Sequence, residues 1–233
     1  MSARKRQVFV VWAILVAIVF FQTSVPAEDT QNTNTVTVLL EGYLKPIEGK
    51  QPMPFTVDDG ARYVGGTVVL VRGEGVTLVA DPGMVADRAL IIDALKKENV
   101  TPEDVTHIFI SHHHPDHTVN IALFTHAQVI DFWGIYTNDL WEDHGDNYVI
   151  APGIRVLRTP GHTEEDASLV VETAKGTYVL THAWAFSDIK AGKAPLAWNQ
   201  EALDASRKKV LEVADWIIPG HGSLVANPER AKE

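Results

Sequence analysis

One segment constrains this chain more than any other: Ser111-His112-His113-His114-Pro115-Asp116-His117 places five potential metal ligands within six residues. It follows directly on residues 105–110, an apolar run that reads as a buried strand, so the cluster is expected at a strand end. In an extended stretch the side chains at 112, 114 and 116 project to one side, and His117 joins them only if the chain curls at Pro115, where a turn is expected. Four ligands then converge from one loop. Imidazole and carboxylate suit Zn²⁺ and also Fe or Mn, while the absence of cysteine removes every thiolate option.

Two distant histidines occupy matching contexts. His162 lies in Thr159-Pro160-Gly161-His162-Thr163 after an expected strand at 155–158, and His221 lies in Pro219-Gly220-His221-Gly222 after one at 216–218. Glycine before each lets the backbone turn sharply and carry the side chain inward. Four further histidines are read as non-ligands. His107 sits inside the strand before the cluster, His113 points opposite to its neighbours, and His126 and His144 lack a recurring context.

The rest of the chain supplies a scaffold of short strands and two helices. Residues 36–40, 68–72 and 76–80 read as strands, the last two joined by Gly73-Glu74-Gly75 in a hairpin that ends at Asp81-Pro82-Gly83. Helical spacing over 87–98 places Leu90, Ile91, Ala94 and Leu95 on one side, and Thr101 with Pro102 starts a short turn. Further strands are expected at 129–132, 155–158, 169–172, 178–180 and 216–218, with a second helix over 201–214. This pattern predicts an α/β protein in which helices cover two sheets and functional loops gather at one edge. The length suits one domain, and 45% hydrophobic residues suffice for a core.

The first 27 residues read as a secretory signal peptide, leaving residues 28–233 as the domain. Arg4, Lys5 and Arg6 precede an apolar run at 8–21 that is short for a membrane span, and Val25-Pro26-Ala27 offers a cleavage site. The protein is therefore expected to be secreted or periplasmic, meeting a membrane only through an uncleaved leader. Removing the leader takes three basic and no acidic residues, moving the net charge from −10 to −13. Such acidity, with no dense Lys/Arg cluster, argues against nucleic acid and for a small-molecule substrate. Nothing in the sequence sets an oligomeric state.

At this point the chain resembles the metallo-β-lactamase superfamily, whose His-x-His-x-Asp-His signature is matched by His112, His114, Asp116 and His117. The Asp-Pro-Gly turn at 81–83 and the Gly-His loops at 162 and 221 extend the resemblance. It implies an αββα sandwich in a single domain. It also implies one metal site from His112, His114 and His162, a second from Asp116, His117 and His221, and Asp81 behind the ligands. Two zinc ions are expected, with Fe or Mn as alternatives. Where the family usually carries a bridging Asp, this chain reads Thr181-His182-Ala183-Trp184. His182 is the favoured substitute, with Asp188 or a single-metal site as the alternatives.

The implied function is a metal-dependent hydrolase that uses metal-activated water on a small ester, lactone, thioester or amide, with Asp116 orienting the water or shuttling its proton. A phosphodiesterase or ribonuclease of the same fold and a non-catalytic metal-binding module are the other two readings. Trp133, Tyr136, Trp141, Trp184 and Trp198 are candidates for an apolar substrate wall, Trp184 first among them because it lies two residues after His182.

Overall fold

The computed structural model describes residues 33–50 and 60–230. The expected leader at 1–27 and most of the expected linker after it lie outside the described residues. The first half of the chain runs β1 (Thr35–Leu40), β2 (Tyr43–Pro46), β3 (Arg62–Gly65), β4 (Val68–Gly73), β5 (Val76–Ala80), α1 (Ala89–Lys97), β6 (His107–Phe109), α2 (Pro115–Thr118), β7 (Gln128–Ile130), β8 (Gly134–Thr137) and β9 (Leu140–Asp143). The second half runs β10 (Val149–Ala151), β11 (Ile154–Arg158), β12 (Ala167–Thr173), β13 (Gly176–Thr181), α3 (Gln200–Val213), β14 (Trp216–Pro219) and β15 (Val225–Ala226).

These strands build two large sheets and the small β2-β3 pair. One sheet has the order β1-β4-β5-β6-β7-β8-β9, and the other β10-β11-β12-β13-β14-β15. Both are antiparallel except where β5, β6 and β7 run parallel and where β13 meets β14. Each parallel crossing passes through a helix-bearing connection, so α1 covers the first sheet and α3 the second.

Alternation along the strands assigns residues to layers. Val69, Val71, Leu78 and Phe109 of the first sheet meet Ile154, Val156, Leu169 and Val171 of the second in the central core. Their neighbours Val68, Leu70, Val79 and Ile108 face outward onto Ile91 and Leu95 of α1. In the second sheet Val170, Val179 and Ile217 pack on Leu203 and Val210 of α3. Strands buried on both faces are the reason 68–71 reads as an unbroken apolar run. The result is the αββα sandwich expected from the resemblance.

Several local expectations need correction. Leu90 is 45% exposed, because only the stripe of Ile91, Ala94 and Leu95 meets the sheet and Leu90 sits at its rim. The strand expected at 129–132 stops at Ile130, since the Asp131 carboxylate accepts hydrogen bonds from the backbone N–H groups of Trp133 and Gly134 and turns the chain. The acidic stretch at 139–146, for which no strand was expected, contains the exposed edge strand β9. β2, β3, β8, β10 and β15 were not anticipated from periodicity, being two to four residues long and mostly half-exposed.

Candidate metal centre

The histidine cluster occupies the connection from β6 to β7, at the sheet edges where the strands of both sheets end. His114 is still extended, Pro115 begins α2, and His117 N–H donates to His114 O at 3.0 Å, so the chain curls where a turn was expected. That single turn rotates His117 onto the face shared by His112, His114 and Asp116. Gly83 makes the approach possible: a Cβ there would lie 1.7 Å from the Asp116 carbonyl oxygen, so only glycine lets the 81–83 turn rest against α2.

Seven side chains converge. His112 Nε2 stands 3.0 Å from His114 Nδ1, and His162 Nε2 stands 3.2 Å from the same His114 atom. Asp116 Oδ2 lies 3.5 Å from both His117 Nε2 and His221 Nε2, and His182 Nε2 is 3.2 Å from His221 Nε2. Three trios each hold their ligand atoms within 4.8 Å of one another: His112 with His114 and His162, Asp116 with His117 and His221, and His112 with His117 and His182. The first two trios are those implied by the sequence motif, and His182 from the end of β13 joins between them. Asp188 does not: its carboxylate pairs with Lys190 Nζ at 2.9 Å on an exposed loop. His107, His113, His126 and His144 stand outside the trios.

The surroundings orient these rings. Asp81, buried and held at φ 51°, accepts from His117 Nδ1 at 2.9 Å and from the Ser111 hydroxyl at 2.7 Å, while its other oxygen takes the Ser111 N–H at 2.8 Å. Ser111 Oγ lies 3.0 Å from His112 Nδ1, so one carboxylate steers two imidazoles. His221 Nδ1 donates to Gly65 O at 2.9 Å. Ser111 and Gly65 escaped the sequence reading, although Ser111 adjoins His112; nothing local marks Gly65. Asp166 also escaped it. Its carboxylate accepts from the Thr163 N–H and hydroxyl at 2.7 Å each and so closes the loop carrying His162, and burial raises its pKa to about 7.

Electrostatics keep most of the rings neutral. Burial, then the proximity of the other imidazoles, holds His112 and His182 well below the ordinary 6.5 and His162 at about 4; His221 is lowered in the same way. Burial also opposes charge on His117, but the carboxylates of Asp81, Asp116 and Asp166, Asp81 foremost, together outweigh it and move that pKa up. Two buried ring nitrogens, His117 Nε2 and His182 Nδ1, have no hydrogen-bond partner. Neutral imidazoles with lone pairs aimed at one another, and an orphaned nitrogen beside a carboxylate, form the donor set a divalent cation satisfies.

A cleft of about 980 Å³ opens over Asp116, His114, His162, His182 and His221. Its walls include Leu44, Val64, Met84, Trp184, Phe186 and Trp198. Trp184 and Trp198 therefore line it as expected. Trp133, Tyr136 and Trp141 do not. They sit around β7, β8 and β9, where the Tyr136 hydroxyl donates to Asp131 and its ring meets Trp141. Sequence proximity to a strand end did not tell which sheet edge an aromatic would reach.

Comparison with known proteins agrees with this geometry. The model of the metallo-beta-lactamase superfamily matches residues 61–139, a stretch that includes the histidine cluster. Metallo-beta-lactamase domain-containing protein 1 of Xenopus laevis is 36% identical over 198 residues, which is 81% of this chain and 80% of that protein. An N-acyl homoserine lactonase of a Bacillus species is 30% identical over 105 residues, covering 39% of this chain and 42% of its own. In fold, the chain is similar to a solved N-acyl homoserine lactone hydrolase with N-hexanoyl-L-homoserine bound at its catalytic metal centre, with a TM-score of 0.60 at 19% identity, covering 87% of this chain and 96% of that one. The chain belongs to the metallo-beta-lactamase superfamily, as a metal-dependent hydrolase.

Proposed function

We propose that the protein hydrolyses a small lactone, ester, thioester or amide at a centre of two zinc ions held by His112, His114 and His162 on one side and by Asp116, His117, His182 and His221 on the other. The observation that carries this reading is the convergence of those seven side chains on the floor of one mainly apolar cleft. The names of the Bacillus lactonase and the solved lactone hydrolase lend support to the lactone. His182 stands in this reading where the family usually carries a bridging Asp.

A divalent ion in this donor set supplies Lewis acidity, lowering the pKa of bound water and polarising the oxygen of the bond under attack. The residues of the chain do the rest. The side chain of Asp116 is 14% exposed and borders the cleft, so its carboxylate can take the proton of the attacking water and return it to the leaving group. Leu44, Val64, Met84, Phe186 and Trp198 receive the apolar part of the substrate and exclude bulk water from the floor. The cationic groups in the wall are partly committed elsewhere, Lys190 to Asp188 and Arg207 to backbone carbonyls, which fits a compact substrate better than a polyanion. Export through the leader-like residues 1–27 remains part of the proposal.

Two measurements test it. Plasma mass spectrometry on tag-free protein is expected to find about two zinc per chain, and a chain that binds no metal contradicts the reading. Against a panel of lactones, esters, thioesters and amides, Asp116→Asn is expected to lower turnover by about 10²-fold or more. Retention of most activity removes Asp116 from the proton path.

A further inference from the structure

His182 differs from its neighbours in the cluster. His117, His112 and His221 each have their second ring nitrogen held by a protein oxygen, whereas His182 Nδ1 is buried without a partner. A ligating imidazole ordinarily takes its orientation from that second bond. Something else must orient His182, and the candidates are its backbone and its packing.

Both are tightly held. The Ala183 N–H donates to Thr181 Oγ1 at 3.1 Å, and that hydroxyl is the end of a buried chain running through Ser168 to Thr159 in 2.7 Å steps. The Ala183 carbonyl accepts from Arg207 Nε at 2.9 Å. Ala183, the residue next to His182, is thus gripped at both its backbone N–H and its carbonyl. Gly220 packs against the ring so closely that a Cβ would fall 2.2 Å from His182 Cδ2.

Arg207 does more than hold one carbonyl. Its Nη1 donates to Gly192 O at 2.6 Å and to Asp204 Oδ1 at 3.0 Å, so from α3 the buried guanidinium spans both ends of the 183–192 loop. Within that loop the Trp184 carbonyl accepts from Gly220 N–H at 3.2 Å and the Ala185 carbonyl from His221 N–H at 2.7 Å. The segment that Arg207 fastens therefore follows directly on His182 and seats Gly220 and His221 by its carbonyls.

We propose that Arg207 is a positioning residue for the centre, setting His182 and His221 together through the 183–192 loop. The inference rests on the metal-centre reading above. Arginine is needed because its planar fork bonds two carbonyls of fixed separation at once, which a lysine ammonium on a flexible stem does not reproduce.

The test is titration of metal-free full-length protein with Co²⁺, following the visible absorption of the bound ion, in wild type, Arg207→Met, Arg207→Lys and Val210→Ala. Wild type is expected to fill two sites. Both Arg207 variants are expected to weaken the second by about 10- to 100-fold and to change its spectrum, with the first site intact. Val210→Ala removes core volume from the same helix, so it is expected to lower the melting temperature while leaving both sites as in wild type. Wild-type binding and spectra in Arg207→Met, restoration by Arg207→Lys, or the same second-site loss in Val210→Ala each overturn the positioning role alone. A wild-type protein that binds no Co²⁺ overturns the metal-centre reading as well.

Discussion

At the scale of single residues, Asp81 shows how a side chain outside the ligand set governs it. Among the described residues it is the one carboxylate that touches both His117 and Ser111, and through Ser111 it reaches His112. Asp81→Asn preserves the volume and tolerates the positive φ, but it replaces one accepting oxygen by an NH₂ and removes the charge. Metal affinity is expected to fall by about 10- to 100-fold with the fold retained, as read by competition with a chromophoric chelator. Unchanged affinity would show that His117 needs no anionic partner. The His-x-His-x-Asp-His spacing exposed four candidate ligands in the sequence because the motif is local. The hydrogen bonds from His221 to Gly65 and from Arg207 to Ala183 span 156 and 24 residues, and no spacing announces them.

At the scale of elements, the decisive contact is the 81–83 turn against the one-turn helix α2. Gly66 and Met84 N–H groups both donate to the Asp116 carbonyl, at 2.9 and 3.3 Å, so three segments meet on one oxygen. Gly83→Ala would drive a methyl group into backbone that cannot yield. It is expected to destabilise the protein by about 3 kcal/mol or more in urea unfolding and to lower metal content with it. A variant as stable as wild type with full metal would mean that α2 can shift without harm. The turn and the curl at Pro115 are each legible in the sequence, but separately. That they pack together follows from β5 and β6 being parallel neighbours, which puts both following loops at the same sheet edge.

At the scale of the whole molecule, the cluster is a joint between the two halves of the fold. His112 and His117 come from the first sheet's loops, and His162, His182 and His221 from the second's, all within one ring-to-ring network. Folding lowers the affinity of His112, His162, His182 and His221 for protons, by burial first and then by their mutual proximity. The unfolded chain, with ordinary values near 6.5, therefore binds protons more readily as pH falls. Stability of the metal-free protein is expected to decline from about pH 6.5 and to go on declining to about pH 4, where His162 titrates. His117, His113 and Asp166 shift upward and oppose this, while His107 is lowered by burial and adds to the four, so three groups work against five. Urea midpoints of metal-free protein at pH 7.5 and pH 5 are the check, and a midpoint at pH 5 equal to or above that at pH 7.5 contradicts it.

The sequence alone determined the class of fold, the strand before the cluster and the identity of six of the seven converging side chains, because apolar runs and a dense histidine motif are local properties of a chain. Tertiary structure decided the rest. It brought His182 and left Asp188 outside, and it sent Trp184 and Trp198 to the cleft and Trp133, Tyr136 and Trp141 to another edge. It also recruited Ser111, Gly65 and Arg207 to hold the rings. Those outcomes depend on which strands pair and which loops share an edge, and pairing is set by burial of two sheet faces at once, a condition that no single segment of sequence contains.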